Sequence, residues 1–194
     1  MFVSSPQTNH APPAIAHLPT ARGRNQRQPT LTLRHAETTD GEALHAIFHH
    51  PDVLYWTVDL PFAPTTATPQ QLLHDPDHNY VLVACDGPIL VGALRLSLYP
   101  VARMRHLGRI GPVAVHPDHH GKGAGSALVA AAIDLADNWL NLHRLQLLVF
   151  ADNQAAIALY QKYGFGVEGT LTDLVFRAGR YVDAIAMARL KPAG

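Results

Sequence analysis

One stretch restricts the fold more than any other: Val113-Ala114-Val115-His116-Pro117-Asp118-His119-His120-Gly121-Lys122-Gly123-Ala124-Gly125-Ser126-Ala127-Leu128. An apolar strand runs into a loop with three glycines, and the loop runs into a long helix pattern in which Leu128, Ala131, Leu135 and Trp139 recur at helical spacing. Glycines supply unusual dihedrals and let an anion come close to the backbone. The first N–H groups of the helix have no internal partner and carry the positive end of its dipole, so a pyrophosphate fits there. Lys122 either adds charge to such a site or points into solvent. The loop is not a Walker loop, because Gly-Lys-Ser/Thr is absent, and its glycine spacing is not the Rossmann fingerprint. Taken alone, it could also be a glycine-rich turn that only starts a helix.

The rest of the chain bounds the setting. Its 194 residues suit one domain with a tail. Lys+Arg and Asp+Glu balance at 15 each, so the composition points to neither a nucleic acid nor an anionic membrane as partner. Cys85 is the single cysteine, which excludes a disulfide framework. No apolar run approaches the roughly 18 residues that span a bilayer, and residues 1–29 have no apolar secretory core, which makes the cytoplasm the expected location. Those residues hold Pro6, Pro12, Pro13, Pro19 and Pro29 and no acidic residue. They read as a disordered N-terminal extension ahead of a domain at 30–194.

Within that domain Leu31 and Leu33 alternate with polar residues as in a strand, and Thr39 or Asp40 is placed to cap a helix whose inner face is Leu44, Ile47 and Phe48. That helix ends at His49-His50-Pro51-Asp52. An irregular stretch follows at 53–69, then a short helix at 69–74. Strands are expected at 80–85 and 89–99 around the turn Asp86-Gly87-Pro88, and another at 109–116. A helix at 123–139, a strand at 145–150, a helix at 153–163 closed by Gly164, and strands at 166–176 and 181–190 complete an α+β order.

His120-Gly121-Lys122-Gly123-Ala124-Gly125 resembles the acetyl-coenzyme A motif of the GNAT superfamily, Gln/Arg-x-x-Gly-x-Gly/Ala, with His at the first position. Downstream, Asn153-x-x-Ala156-x-x-Leu159-Tyr160-x-x-Tyr163-Gly164-Phe165 resembles the family's second element. Arg34-His35-Ala36-Glu37-Thr38, Asp137-Asn138-Trp139-Leu140, Val149-Phe150-Ala151-Asp152-Asn153, Val167-Glu168-Gly169-Thr170 and Gly179-Arg180-Tyr181-Val182-Asp183-Ala184 are similar to a bacterial subgroup whose members include L-amino-acid N-acetyltransferases.

The resemblance implies a mixed, mostly antiparallel sheet of about seven strands with about four flanking helices, splayed between the fourth and fifth strands. It implies acetyl-coenzyme A as cosubstrate, bound by His120, Gly121, Lys122, Gly123, Ala124, Gly125 and Ser126, by the strand Val113, Ala114 and Val115, and by Asn153, Ala156 and Tyr160. The first motif residue is expected to act mainly through its backbone. A small-molecule primary amine is the implied acceptor, a hydrophobic L-amino acid such as methionine or phenylalanine foremost, with an antibiotic, a polyamine or a protein N-terminus as rival acceptors and a non-catalytic acyl-coenzyme A-binding module as the other class; a homodimer is the implied assembly. Tyr160 is the implied proton donor to the departing thiolate, with core packing as its other reading and Tyr163 as the nearby competitor. Asn153 caps its helix, contacts the coenzyme, or both. Pro112, which lacks a ladder donor, suits a splay or merely starts the strand.

The base is not legible: His106, His116, Glu168 and Asp59 are candidates, and Gln146 stands where some relatives carry Glu. Tyr55-Trp56-Thr57-Val58-Asp59-Leu60-Pro61-Phe62 either walls the acceptor site or packs on its own core. An acceptor carboxylate needs a cation, for which Arg95, Arg103 and Arg180 are available. The 13 histidines include His116-x-x-His119-His120 and His74-Asp75-Pro76-Asp77-His78, neither with a zinc spacing, so no metal is expected. Cys85 reads as core packing.

Overall fold

The computed structural model describes residues 31–73 and 75–192. The extension expected at 1–29 lies outside the described residues. A seven-stranded sheet runs in the order β1-β2-β3-β4-β5-β7-β6. Its strands are β1 (Leu31–His35), β2 (Asn79–Asp86), β3 (Ile89–Leu98), β4 (Leu107–Val115), β5 (Arg144–Phe150), β6 (Gly166–Arg177) and β7 (Arg180–Leu190). Neighbours are antiparallel except β4 and β5, which run parallel.

Strand periodicity sorts side chains to the two faces of the sheet. Val81, Val83 and Cys85 of β2 join a buried cluster under α1 (Gly41–Phe48), α2 (Pro51–Leu54) and α3 (Ala67–Leu72), built on Leu44, Ile47, Phe48, Val53 and Leu72. The intervening Ala84, with Tyr80 and Leu82 beside it, packs into the other cluster. That second cluster holds Leu128, Val129 and Ala132 of α4 (Ala124–Asp134) and Ile157 and Tyr160 of α5 (Gln154–Lys162). Helices therefore cover both faces of the sheet, with α2 a single turn.

Three local expectations need correction. Neither Thr39 nor Asp40 caps α1 with its side chain. The Asp40 carboxylate turns back to accept two hydrogen bonds from the Arg34 guanidinium at 2.7 Å each and one from the Glu37 N–H at 2.7 Å. The Arg34 hydrogen bonds hold that carboxyl below its ordinary range. Residues 51–54, expected to end a helix and open the irregular stretch, form α2: His50 accepts the Asp52 N–H at 3.3 Å and Pro51 takes the first turn. The helix expected to reach Trp139 changes to a wider π turn over Leu135–Trp139. The extra residue rotates the phase, so Ala136 is buried and Trp139 is 70% exposed. Arg189 fixes this turn through two hydrogen bonds to Asp137, at 2.9 and 2.7 Å.

Gly108 packs closely against Leu142 and Leu145. A Cβ there would lie 2.7 Å from Leu142 Cδ1 and 2.8 Å from Leu145 Cδ2. Gly108→Ala is expected to cost about 1–3 kcal/mol, read as a lower urea midpoint at unchanged slope.

Candidate active site

Strand β4 ends at Val115, and the chain turns through a 3-10 segment, Pro117–His119, capped by the His116 ring on the Asp118 N–H at 3.3 Å. His116-Pro117-Asp118 thus repeats the device of His50-Pro51-Asp52. Gly121 and Gly123 take φ of 72° and 90°, conformations that L side chains enter at a cost. Helix α4 then starts at Ala124 with no side-chain cap on its first N–H groups. This is the geometry of an anion seat: a helix start of positive polarity, with backbone donors left open by the sequence. The His120 Nε2–H donates to the Val115 carbonyl at 2.8 Å and closes the loop on the strand. Lys122 is exposed and donates to the Asp118 carbonyl at 2.8 Å. Gly123→Ala is expected to lower the melting midpoint by about 2–8 °C, from about 1–2 kcal/mol of left-handed strain, and to raise the KM for the coenzyme.

The sheet parts beside this loop. Strands β4 and β5 pair only at Leu107↔Arg144, Gly108↔Leu145 and Arg109↔Gln146. From Ile110 onward β4 stays with β3, while β5 follows β7 as far as Phe150↔Ala184. Gly111 and Pro112 sit in an irregularity where the β3–β4 register shifts between Leu94 and Leu96. Pro112 therefore lies at the splay, where its missing donor interrupts no regular ladder. A cavity of about 780 Å³ opens between Ile110, Gly111, Pro112 and Val113 on one side and Leu148, Val149 and Phe150 on the other.

Helix α5 closes one wall of it with Asn153, Ala156 and Tyr160. Asn153 Oδ1 accepts the Ala156 N–H at 3.1 Å, so it caps the helix while facing the cavity. The Tyr160 ring meets Phe165 edge-on at 5.9 Å, and burial pushes its hydroxyl up to about 12. Tyr163 is otherwise engaged: its hydroxyl donates to the Ser126 carbonyl at 2.9 Å and ties α5 to the start of α4. Of the residues expected to bind coenzyme, Val113, Asn153, Ala156 and Tyr160 line the cavity. Ala114 and Val115 continue β4 from it, and 120–126 form the loop and helix start beyond.

The cavity's ionisable lining is Asp59, Arg95, Arg109 and Tyr160. Arg95 is pulled below its ordinary range, first by burial and then by the Arg109 charge, with Asp59 opposing. Arg103 and Arg180 are exposed and not part of the lining. Arg109 is the cation that sequence reasoning missed; its only signal was its place just ahead of Gly111-Pro112. Among the base candidates Asp59 alone lines the cavity. Glu168 is bound by both terminal nitrogens of Arg144, His116 serves as a cap, and Gln146 donates to the Tyr99 hydroxyl at 2.6 Å. The loop 55–62 divides: Trp56, Thr57, Val58 and Asp59 line the cavity, whereas Phe62 is fully exposed. No group of three or more His, Cys, Asp or Glu converges on a metal position among the described residues, and His74 lies outside them. Cys85 is buried in β2.

The model of the acetyltransferase (GNAT) family matches residues 42–165. The chain is 39% identical to the L-amino acid N-acetyltransferase AaaT of Escherichia coli (strain K12), over 83% of this chain and 98% of that protein. It is 28% identical to a spermidine N(1)-acetyltransferase of the same organism, over 81% of this chain and 84% of that one. Among solved structures, spermidine N-acetyltransferase from Vibrio cholerae in complex with CoA and spermine superposes with a TM-score of 0.72 at 27% identity, covering 82% of this chain and 95% of that one. The splayed sheet, the uncapped helix start and these matches lead to one conclusion: the chain belongs to the GNAT family of acetyltransferases.

Proposed function

We propose that this acetyl-coenzyme A-dependent N-acetyltransferase acts on the primary amine of a free L-amino acid with a hydrophobic side chain, such as methionine or phenylalanine. The observation that carries this reading is the charge of the cavity. It presents Arg95 and Arg109 against a single carboxylate, Asp59. A polyamine would meet two cations there, whereas a carboxylate finds partners for charge-assisted hydrogen bonds. Trp56, Val58, Leu148 and Phe150 leave an apolar wall for the side chain. The similarity to AaaT supports the same acceptor class.

The chemistry follows from the walls. The coenzyme's pyrophosphate belongs on the Gly121–Gly123 turn and the N–H groups of Ala124, Gly125 and Ser126, and its pantetheine arm along the edge of β4 that β5 leaves at Ile110. A backbone N–H within Val113–Val115 meets the thioester oxygen. The neutral amine attacks the carbonyl carbon, a C–N bond forms, the C–S bond breaks, and Tyr160 gives its proton to the departing sulfur. Asp59 takes the proton that the amine sheds, directly or through water, and loses it to solvent, while Tyr160 regains a proton from solvent as the products leave.

Incubation with acetyl-coenzyme A and an equimolar mixture of the twenty L-amino acids, spermidine and an aminoglycoside, read by mass spectrometry, tests the acceptor. N-acetylated hydrophobic amino acids are the expected products. Acetylspermidine or an acetylated aminoglycoside as the dominant product contradicts the reading.

A further inference from the structure

Arg177, at the end of β6, is buried, with its side chain 6% exposed. A buried guanidinium needs compensation, and here it comes from two segments far from it in the chain, residues 55–56 and 150–152. Its Nη2 donates to Asp152, and its Nη1 reaches the Tyr55 carbonyl at 3.4 Å. Its Cζ lies 4.1 Å from the centroid of the Tyr55 ring, 4.9 Å from that of Trp56 and 5.0 Å from that of Phe150. A planar cation satisfies such a cage in a way that an ammonium does not, because it stacks on ring faces while its edge donates to oxygen.

Two of the residues it holds, Trp56 and Phe150, line the cavity, and Arg177 itself does not. Asp152 immediately precedes Asn153, the cap of the helix that carries Tyr160. The Arg177 hydrogen bond keeps the Asp152 carboxyl below its ordinary range, and Arg180 approaches the same oxygen at 3.6 Å from the exposed side. In the loop after α2, Val58 is 73% and Leu60 77% exposed. The aromatic wall of the cavity is thus held to the β5–α5 turn through one guanidinium.

We propose that Arg177 is a positioning residue for acceptor recognition: it sets the aromatic wall formed by Trp56 and Phe150 and so governs affinity for the amine, separately from affinity for the coenzyme. This rests on the cavity being the acceptor site. Arg177→Met should raise the KM for the best amine about tenfold or more, with kcat within about threefold and the coenzyme KM within about twofold. Arg177→Lys keeps the charge but not the stacking plane, and should recover only part of the loss.

A second readout needs no acceptor. The chain has two tryptophans, Trp56 and Trp139, so a Trp139→Phe background isolates Trp56 emission. There, Arg177→Met should shift the emission to the red and about double acrylamide quenching. Should the Met variant fail to fold, Asp152→Asn loosens the same anchor and carries the same readouts. An unchanged amine KM, or amine and coenzyme KM rising together, overturns the proposal. So does an unchanged Trp56 signal. If no amino acid turns over at all, the acceptor reading fails, yet the Trp56 measurement still decides whether Arg177 holds the wall.

Discussion

Tyr160→Phe is expected to lower kcat by about 10²–10⁴-fold while coenzyme affinity stays within about twofold. The substitution keeps the ring, its 5.9 Å edge contact with Phe165 and the shape of the cavity wall, and removes only the hydroxyl. Loss of rate without loss of binding is the mark of a group that acts in the transition state alone. The environment keeps the proton on the phenol. Burial disfavours the phenolate and pushes the Tyr160 hydroxyl up to about 12. The proton is therefore present across the whole range in which an amine becomes neutral. Activity should rise with pH as the acceptor deprotonates, and Tyr160 should impose no alkaline fall until near that value. The same shift has a stability consequence. An unfolded chain releases the tyrosine proton near pH 10, the folded chain near about 12, so stability is full below pH 10 and falls as pH climbs between the two. Steady-state thiol release across pH, with coenzyme titrated calorimetrically, checks both parts. Equal turnover in the variant would remove Tyr160 from the mechanism.

Arg95→Met is the other large effect. It should raise the KM for a free amino acid by about 10–100-fold, from about 1.5–3 kcal/mol of charge-assisted hydrogen bonding. The fold should be little affected, because methionine retains the length of the aliphatic stem. Burial adds most to the cost of keeping Arg95 charged, and the charge of Arg109 on the neighbouring strand adds to it. A bound carboxylate would offset both penalties, so affinity should fall when one cation goes. The control is an acceptor of the same shape without the carboxylate. Its kcat/KM should change by less than about threefold in the variant, since it makes no ion pair to lose. An equal loss for both acceptors would show that Arg95 shapes the cavity and does not read charge.

The parts legible in the sequence are those decided by neighbours in the chain. Gly121 and Gly123 announce the turn because their φ values of 72° and 90° are a local demand. The alternation of Val81, Val83 and Cys85 against Leu82 and Ala84 is likewise a property of one strand. What stayed illegible depends on pairing across the fold. The Asp40 carboxylate looked free to cap a helix until Arg34 proved to lie beside it. Trp139 fitted a helical stripe that a single π turn displaces. Arg109 gains its meaning only where β4 leaves β5. Arg177 gains its meaning from Tyr55, 122 residues earlier in the chain. The glycine loop is legible from neighbouring residues, whereas the aromatic wall of the cavity is assembled by topology.

On the proposed function, the cavity selects an amine by its carboxylate. Initial rates of thiol release with L-phenylalanine, phenylalanine amide and spermidine, each varied at saturating acetyl-coenzyme A, measure it most directly. The expected kcat/KM for phenylalanine is at least about tenfold above that of its amide, with spermidine lower still. Equal values for the acid and the amide, or spermidine as the best of the three, would contradict it.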